Sequence, residues 1–239
     1  MATLWLLRHG QASAHAQDYD QLSTLGEQQA QLLGELWGRQ GIVIDRLVHG
    51  PRRRQRGTAR IVFDALQKAG HTPRAISEDD DLDELRIDGI MASPQLLREQ
   101  VPELCPMLDA FEALEDPAQK SRMFLSLGTH VMRAWAADRV HVEGVERFAD
   151  FELRVRVALE RARLGAGKGA RIVCATSAGV VAVSARQHLG LTPERTIDLM
   201  MRTRNSSISE VLFSGDRATW SSFNEVPHLA ERPELVTLV

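Results

Sequence analysis

Arg8, His9 and Gly10 follow directly on the apolar run TLWLL at residues 3–7. An imidazole can act as a nucleophile, a base or a ligand, and a neighbouring guanidinium suits an anionic partner. Two other apolar runs also end in polar groups. One ends in His49-Gly50-Pro51, followed by Arg52, Arg53, Arg54 and Arg56. The other ends in Thr176-Ser177-Ala178-Gly179. Arginines, an imidazole, hydroxyls and a helix N-terminus in one pocket would suit a phosphoryl group. In open α/β sheets ligands bind beyond the carboxyl ends of the strands, so the three groups converge if their strands are neighbours.

Each feature has a plainer reading. A lone histidine after a strand is more often structural or on the surface. RRRQR at 52–56 is more often a solvated helix face, or a nucleic-acid patch, than a set of ligands, and helical spacing lets only one or two of its arginines face one pocket. The acidic run EDDDLDELRID at 78–88 reads as solvated charge. It lacks the histidine partner of a metal site and the glycine of a calcium loop.

These residues need elements to hold them. TLWLL is continuously apolar and reads as a strand buried on both faces. Thr24-x-x-Glu27 is a capping box that opens a helix through about residue 39, with Gly41 as its stop. IVIDRLVHG is the second strand. A helix spans about 53–69 and ends at Gly70, and a third strand is expected at 73–77. Strand alternating with helix predicts a parallel sheet covered on both faces. Residues 88–164 break the rhythm. They show no strand, a helix start at Ser93-Pro94, and helical periodicity over 118–137 and 146–164, which suggests a helical cap inserted over the active edge. ARIVCAT at 170–176 resumes the sheet, and helices follow at about 179–189 and from Thr192-Pro193. SSISEVLF and RATWSSF then form a terminal hairpin around Ser214-Gly215-Asp216. The expected fold is α/β: a three-layer sandwich with a mainly parallel central sheet flanked by helices. It forms a single domain over residues 1–239, with the cap at 88–164.

The 239 residues carry a formal net charge of −3, with 44% hydrophobic and 26% charged residues. That balance gives no global attraction to nucleic acid or an anionic membrane. TLWLL is too short for a signal peptide and no run nears the roughly 20 residues of a membrane span. Two cysteines, Cys105 and Cys174, build no disulfide framework, and a reducing cytoplasm is the expected compartment. The oligomeric state stays open, a dimer included.

LLRHGQ followed by LSTLGEQQA resembles the N-terminal signature of the histidine phosphatase superfamily, which includes the phosphoglycerate mutase-like proteins. Further segments match in order. GPRRRQRGTA is similar to the family's S-P-x-x-R-A-x-Q-T-A, with Arg54 at the arginine position, and DLDEL resembles L-x-E, giving Glu84. FADFELRVRVAL resembles F-x-x-F-x-x-R-V, RNSSISEVLF resembles an N-x-S-I strand, and VPHL fits the tail. The resemblance implies that His9 is a nucleophile forming a phosphohistidine, with a neutral ring whose other nitrogen is fixed by a backbone carbonyl. It implies that Arg8 and Arg54 bind the phosphoryl oxygens, with Gln11 beside them, and that Glu84 is the general acid. Asp83 and Asp88 would help to raise the Glu84 pKa. No metal or other cofactor is implied.

CATSAGV departs from the family's V-x-S-H-G-G. Ser177 stands at the second histidine and Ala178 at a glycine. Losing one preorganised donor costs about 3 kcal/mol, or roughly a hundred- to a thousandfold in rate. The helix N-terminus at 177–180 would retain some anion binding. His15 stands where many members have a phosphoryl-contacting asparagine and reads as a substitute or as a surface histidine. His188 lies roughly 15 Å along its helix from Ser177, too far to replace the missing ring. The reading is a phosphatase of phosphoric monoesters with a small phosphorylated substrate. The alternative is a non-catalytic phospho-ligand-binding protein on the same fold. The cap would select the substrate, with Arg86, Arg98, Arg122 and Arg133 as candidates for a second anionic group.

Overall fold

The computed structural model describes residues 1–13 and 20–238. Its strands are β1 (Ala2–Arg8), β2 (Arg46–His49), β3 (Ile76–Glu78), β4 (Arg171–Thr176), β5 (Ile208–Ser214) and β6 (Arg217–Glu225). They form one sheet in the order β3-β2-β4-β1-β5-β6. β3, β2, β4 and β1 pair in parallel, while β5 and β6 add an antiparallel edge.

The strand sequences explain why both faces are covered. In β1, Leu4 and Leu6 join one core cluster and Leu7 the other. In β4, Ile172 and Cys174 face one way, Val173 and Ala175 the other. Side chains alternate across a strand, so a continuously apolar strand must be buried on both sides. Helices α1 (Thr24–Arg39) and α2 (Arg53–Lys68) cover one face with Leu33, Trp37, Val62 and Leu66. Ser23 caps α1 by accepting from Gly26 N at 3.0 Å, one residue earlier than the capping-box reading implies.

Between β3 and β4 the described chain makes only helices: α3 (Asp88–Met91), α4 (Pro94–Gln100), α5 (Cys105–Ala113), α6 (Pro117–Ala136), α7 (Phe148–Arg163) and short 3₁₀ turns. Leu97, Leu127, Phe151 and Val155 from these helices share one cluster with Leu4 and Ile172 of the sheet. The second face is completed by α8 (Ala178–Leu189), with α9 (Pro193–Met200) packed beside it.

Two boundaries differ from expectation. β2 begins at Arg46, because Ile44 enters the core from a loop rather than from the ladder. β3 lies at 76–78 rather than 73–77. Pro73 has no N–H for a ladder, and only 76–78 find register partners, against Leu47, Val48 and His49.

Candidate functional site

The registers Arg8↔Thr176 and His49↔Ala175 end β1, β2 and β4 at one level, so their three loops do converge. His9 is fixed from both sides. Its N–H donates to Thr176 O at 2.8 Å and its carbonyl accepts from Ser206 N at 3.1 Å, while Arg8 N donates to Ser207 O at 2.9 Å. These anchors are the physical content of the N-x-S-I segment. Ser206 sits at φ 55°, a left-handed conformation uncommon outside glycine. Its hydroxyl lies 2.8 Å from His228 Nε2, which brings in the VPHL tail.

Gly10 N donates to Thr58 Oγ1 at 3.0 Å, and Thr58 Oγ1 donates to Arg54 O at 2.8 Å. A Cβ on Gly10 would lie 2.3 Å from Gly26 O, and one on Gly26 would lie 2.1 Å from Gln11 O. The glycines of RHG and LSTLG are therefore one contact, in which the loop after His9 rests backbone to backbone on α1.

The His9 ring is buried. Nδ1 lies 2.7 Å from Gly10 O and Nε2 accepts from Arg54 Nε–H at 3.0 Å. A donor on one nitrogen and a carbonyl on the other select the neutral ring with hydrogen on Nδ1. Burial first, then the charges of Arg8 and Arg54, push its pKa well below the ordinary 6.5, against a weaker opposite pull from the Gly10 carbonyl. A neutral ring with its lone pair on Nε2 is what a nitrogen nucleophile requires.

Arg54 also donates from Nη1 to Asp20 Oδ1 at 2.8 Å, and Asp20 Oδ2 accepts from Arg53 N at 2.9 Å. Arg8 Nη1 donates to Thr203 O and, at 2.6 Å, to Leu238 O. Of the other arginines in the basic run, Arg52 binds Asp83 at 2.6 Å and Arg56 binds Glu78 at 2.6 Å. Arg54 is the arginine of this run that bonds His9, in keeping with helical spacing.

Ser177 is fully buried at the start of α8, but its hydroxyl does not cap the helix. It accepts from Gln55 Nε2 at 2.8 Å. The N–H of Gly179 goes instead to Glu84, whose Oε1 accepts from Gly179 N at 3.1 Å and from Leu85 N at 2.9 Å. The helix N-terminus expected to serve a phosphoryl group therefore holds a carboxylate of the chain itself.

Asp83 is buried. Its burial opposes ionisation, but hydrogen bonds from Arg52 and Arg86 outweigh that and hold its carboxyl below the usual range. Its charge is thus matched by two cations, and its Oδ1 also accepts from Glu84 N at 2.8 Å. Asp83, expected only as an acidic neighbour of Glu84, thus also holds the backbone at Glu84. Elsewhere in the acidic run Asp79 and Asp81 pair with Arg161 at 2.7 and 2.6 Å. Arg154 of α7 donates to Asp81 O and Asp83 O, both at 2.9 Å, and binds Glu146 at 2.5 Å. Arg154 is the arginine of F-x-x-F-x-x-R-V, so the motif held the signal without its purpose.

Gln11 spends its side-chain oxygen on Ser23 Oγ at 2.9 Å. His15 lies outside the described residues. His188 bonds Ser184 O at 2.8 Å and packs on Trp220, away from the site as expected. Arg86, Arg98 and Arg133 are paired with Asp83, Asp109 and Asp198, and Arg122 is exposed. Gln55 and Asp20 escaped the sequence reading, because their partners lie 122 and 34 residues away. Among the described residues no cluster of three or more His, Cys, Asp or Glu side chains could hold a metal ion, and no helix is long and apolar enough to cross a membrane.

Known structures share this architecture. A phosphoglycerate mutase from Bacillus anthracis superposes with a TM-score of 0.65 at 15% identity, over 96% of each chain. A phosphoserine phosphatase mutant from Entamoeba histolytica, in complex with phosphoserine, gives 0.61 at 15% identity, over 96% of this chain and 100% of that one. A mycobacterial glucosyl-3-phosphoglycerate phosphatase gives 0.60 at 18% identity, over 94% and 99%. At such identities the likeness shows the fold alone. A search of curated proteins gave no significant match. The family model of the histidine phosphatase superfamily (branch 1) matches residues 4–122 and 126–226, nearly the whole chain, with His9, Arg54 and Glu84 inside the match. On that match the chain belongs to the histidine phosphatase superfamily.

Proposed function

We propose that the chain hydrolyses a phosphoric monoester through a phosphohistidine on His9. The observation that carries this reading is the state of that ring: buried, neutral, hydrogen on Nδ1, and its Nε2 lone pair directed at Arg54. Nε2 attacks phosphorus as the ester P–O bond breaks. Glu84 gives its proton to the leaving oxygen and later accepts one from the water that cleaves the P–N bond, which restores His9. Arg8 and Arg54 balance the phosphoryl charge, the main service a protein offers this loose transition state. The Arg54 guanidinium must then move from Nε2 and Asp20 onto phosphoryl oxygens as substrate enters. The helices between β3 and β4 would select the rest of the substrate.

The test is turnover of p-nitrophenyl phosphate together with acid-labile phosphate trapping. Wild type should turn over and carry label on His9, and His9→Ala should lose both, by at least about a thousandfold in kcat. Activity unchanged by His9→Ala would reject the nucleophile.

A second reading, a phospho-ligand binder without turnover, draws on the Glu84 carboxylate seated on Gly179 N–H and on the absence of the second histidine. It predicts heat of binding with inorganic phosphate and no product. Label on His9 would exclude it.

A further inference from the structure

Two of the places where this chain departs from the family pattern near the site touch each other. Ser177 stands at the histidine of V-x-S-H-G-G, and Gln55 stands at the alanine of S-P-x-x-R-A-x-Q-T-A. Both are fully buried, and Gln55 Nε2 donates to Ser177 Oγ at 2.8 Å. Where the family pattern has a small residue and a large ring, this chain has a large residue bonded to a small hydroxyl.

The carboxamide is fixed at every polar atom. Oε1 accepts from Arg52 N at 3.0 Å, and Nε2 donates to Leu82 O at 3.1 Å as well as to Ser177. A backbone donor on one side and a backbone acceptor on the other settle which end is nitrogen. Ser177 Oγ must therefore accept from Gln55. A hydroxyl has one proton, and among the described residues that proton has no acceptor. Ser177 is also released from capping α8, because Glu84 takes the Gly179 N–H. The register Arg8↔Thr176 sets Ser177 level with His9 on the adjacent strand end.

We propose that Ser177, aimed by Gln55, donates a hydrogen bond to the transferring phosphoryl group in place of the second histidine, with Gln55 as its positioning residue. This rests on the reading that His9 receives a phosphoryl group. Because both of the amide's N–H bonds are spent, Gln55 itself does not touch the substrate. It occupies a lone pair of Ser177 and so leaves the hydroxyl proton for another acceptor.

The experiment compares wild type with Ser177→Ala, Gln55→Met, the double variant of these two, Ser177→His, and Ser177→His combined with Gln55→Ala. Methionine matches glutamine in size and suits a buried position, and Leu82 O keeps its bond from Thr176 Oγ1 at 2.7 Å, so Gln55→Met is expected to fold. With p-nitrophenyl phosphate, Ser177→Ala and Gln55→Met should each lower kcat, the former by roughly a hundredfold, with KM within about threefold. The double variant should be no worse than Ser177→Ala, because the pair acts as one unit. Ser177→His alone should be poor, with Gln55 filling the space, and Gln55→Ala should rescue it. An unchanged kcat in Ser177→Ala, or losses that multiply in the double variant, would overturn the inference. If wild type neither turns over nor labels His9, the hydrolase reading falls by itself. Titration with inorganic orthovanadate then decides the donor: Ser177→Ala and Gln55→Met should bind it at least about tenfold more weakly, and equal binding overturns the assignment.

Discussion

Because burial and two guanidinium groups keep the His9 imidazole neutral, its nucleophilicity should survive well into mildly acidic buffer. In the folded protein the His9 ring should show no NMR titration between about pH 8 and 6, and a midpoint near 6.5 would contradict this. His228 behaves alike, with burial pushing it down to about 4. Both are bases whose folded pKa lies below the unfolded value. As pH falls through about 6.5, the unfolded chain binds these protons first, so stability drops from there downward, through about pH 4 for His228. At pH 5 the His228 imidazole should cost about 1–2 kcal/mol, read as a lower urea midpoint than at pH 7.5, and His9 should add to the loss in the same direction. His228→Gln should flatten that dependence. Single residues were legible in the sequence where chemistry and chain position coincide: Arg8, His9, Arg54 and Glu84 stand in motifs. Gln55 and Asp20 were not, since a glutamine in a basic helix and an aspartate in a polar loop carry no mark of a partner across the fold.

Elements position these groups through their ends. The loop after β1 rests on the first turn of α1, where a Gly26 side chain would lie 2.1 Å from Gln11 O. Gly26→Ala must therefore move backbone two residues from His9. The expected outcome is a loss of about 2 kcal/mol or more in urea unfolding, and lower kcat with p-nitrophenyl phosphate. Gly128→Ala in α6 is the control. An added Cβ meets nothing within 4 Å there, and the helix should gain up to about 1 kcal/mol. Long elements were readable because their patterns are local: β1 is continuously apolar, and α1 and α2 end near a glycine. The short edge strand β3 was misplaced, because its three residues are exposed and only pairing with β2 defines them.

At the scale of the molecule, α7 secures the segment that carries Glu84. Arg154 lies across two carbonyls of residues 81–83, and its guanidinium covers the Phe151 ring at 4.6 Å. Arg154→Met should cost about 2–4 kcal/mol, because it strands those carbonyls and the half-buried Glu146. It should lower kcat more than it raises KM, by freeing Glu84. Stability and turnover equal to wild type would refute this link. Sequence periodicity supplied the helices between β3 and β4 but not their attachment, which runs through such contacts. The chain's two ends differ just as sharply. Met1 precedes β1 at the end of that strand opposite His9, whereas Leu238 O accepts from Arg8, and Leu235 O and Thr237 Oγ1 accept from Gln29 at 2.7 and 3.1 Å. For anyone immobilising this protein, an attachment made through Leu238 would sit beside the candidate anion pocket, and one made through the first residues of β1 would lie at the far end of that strand.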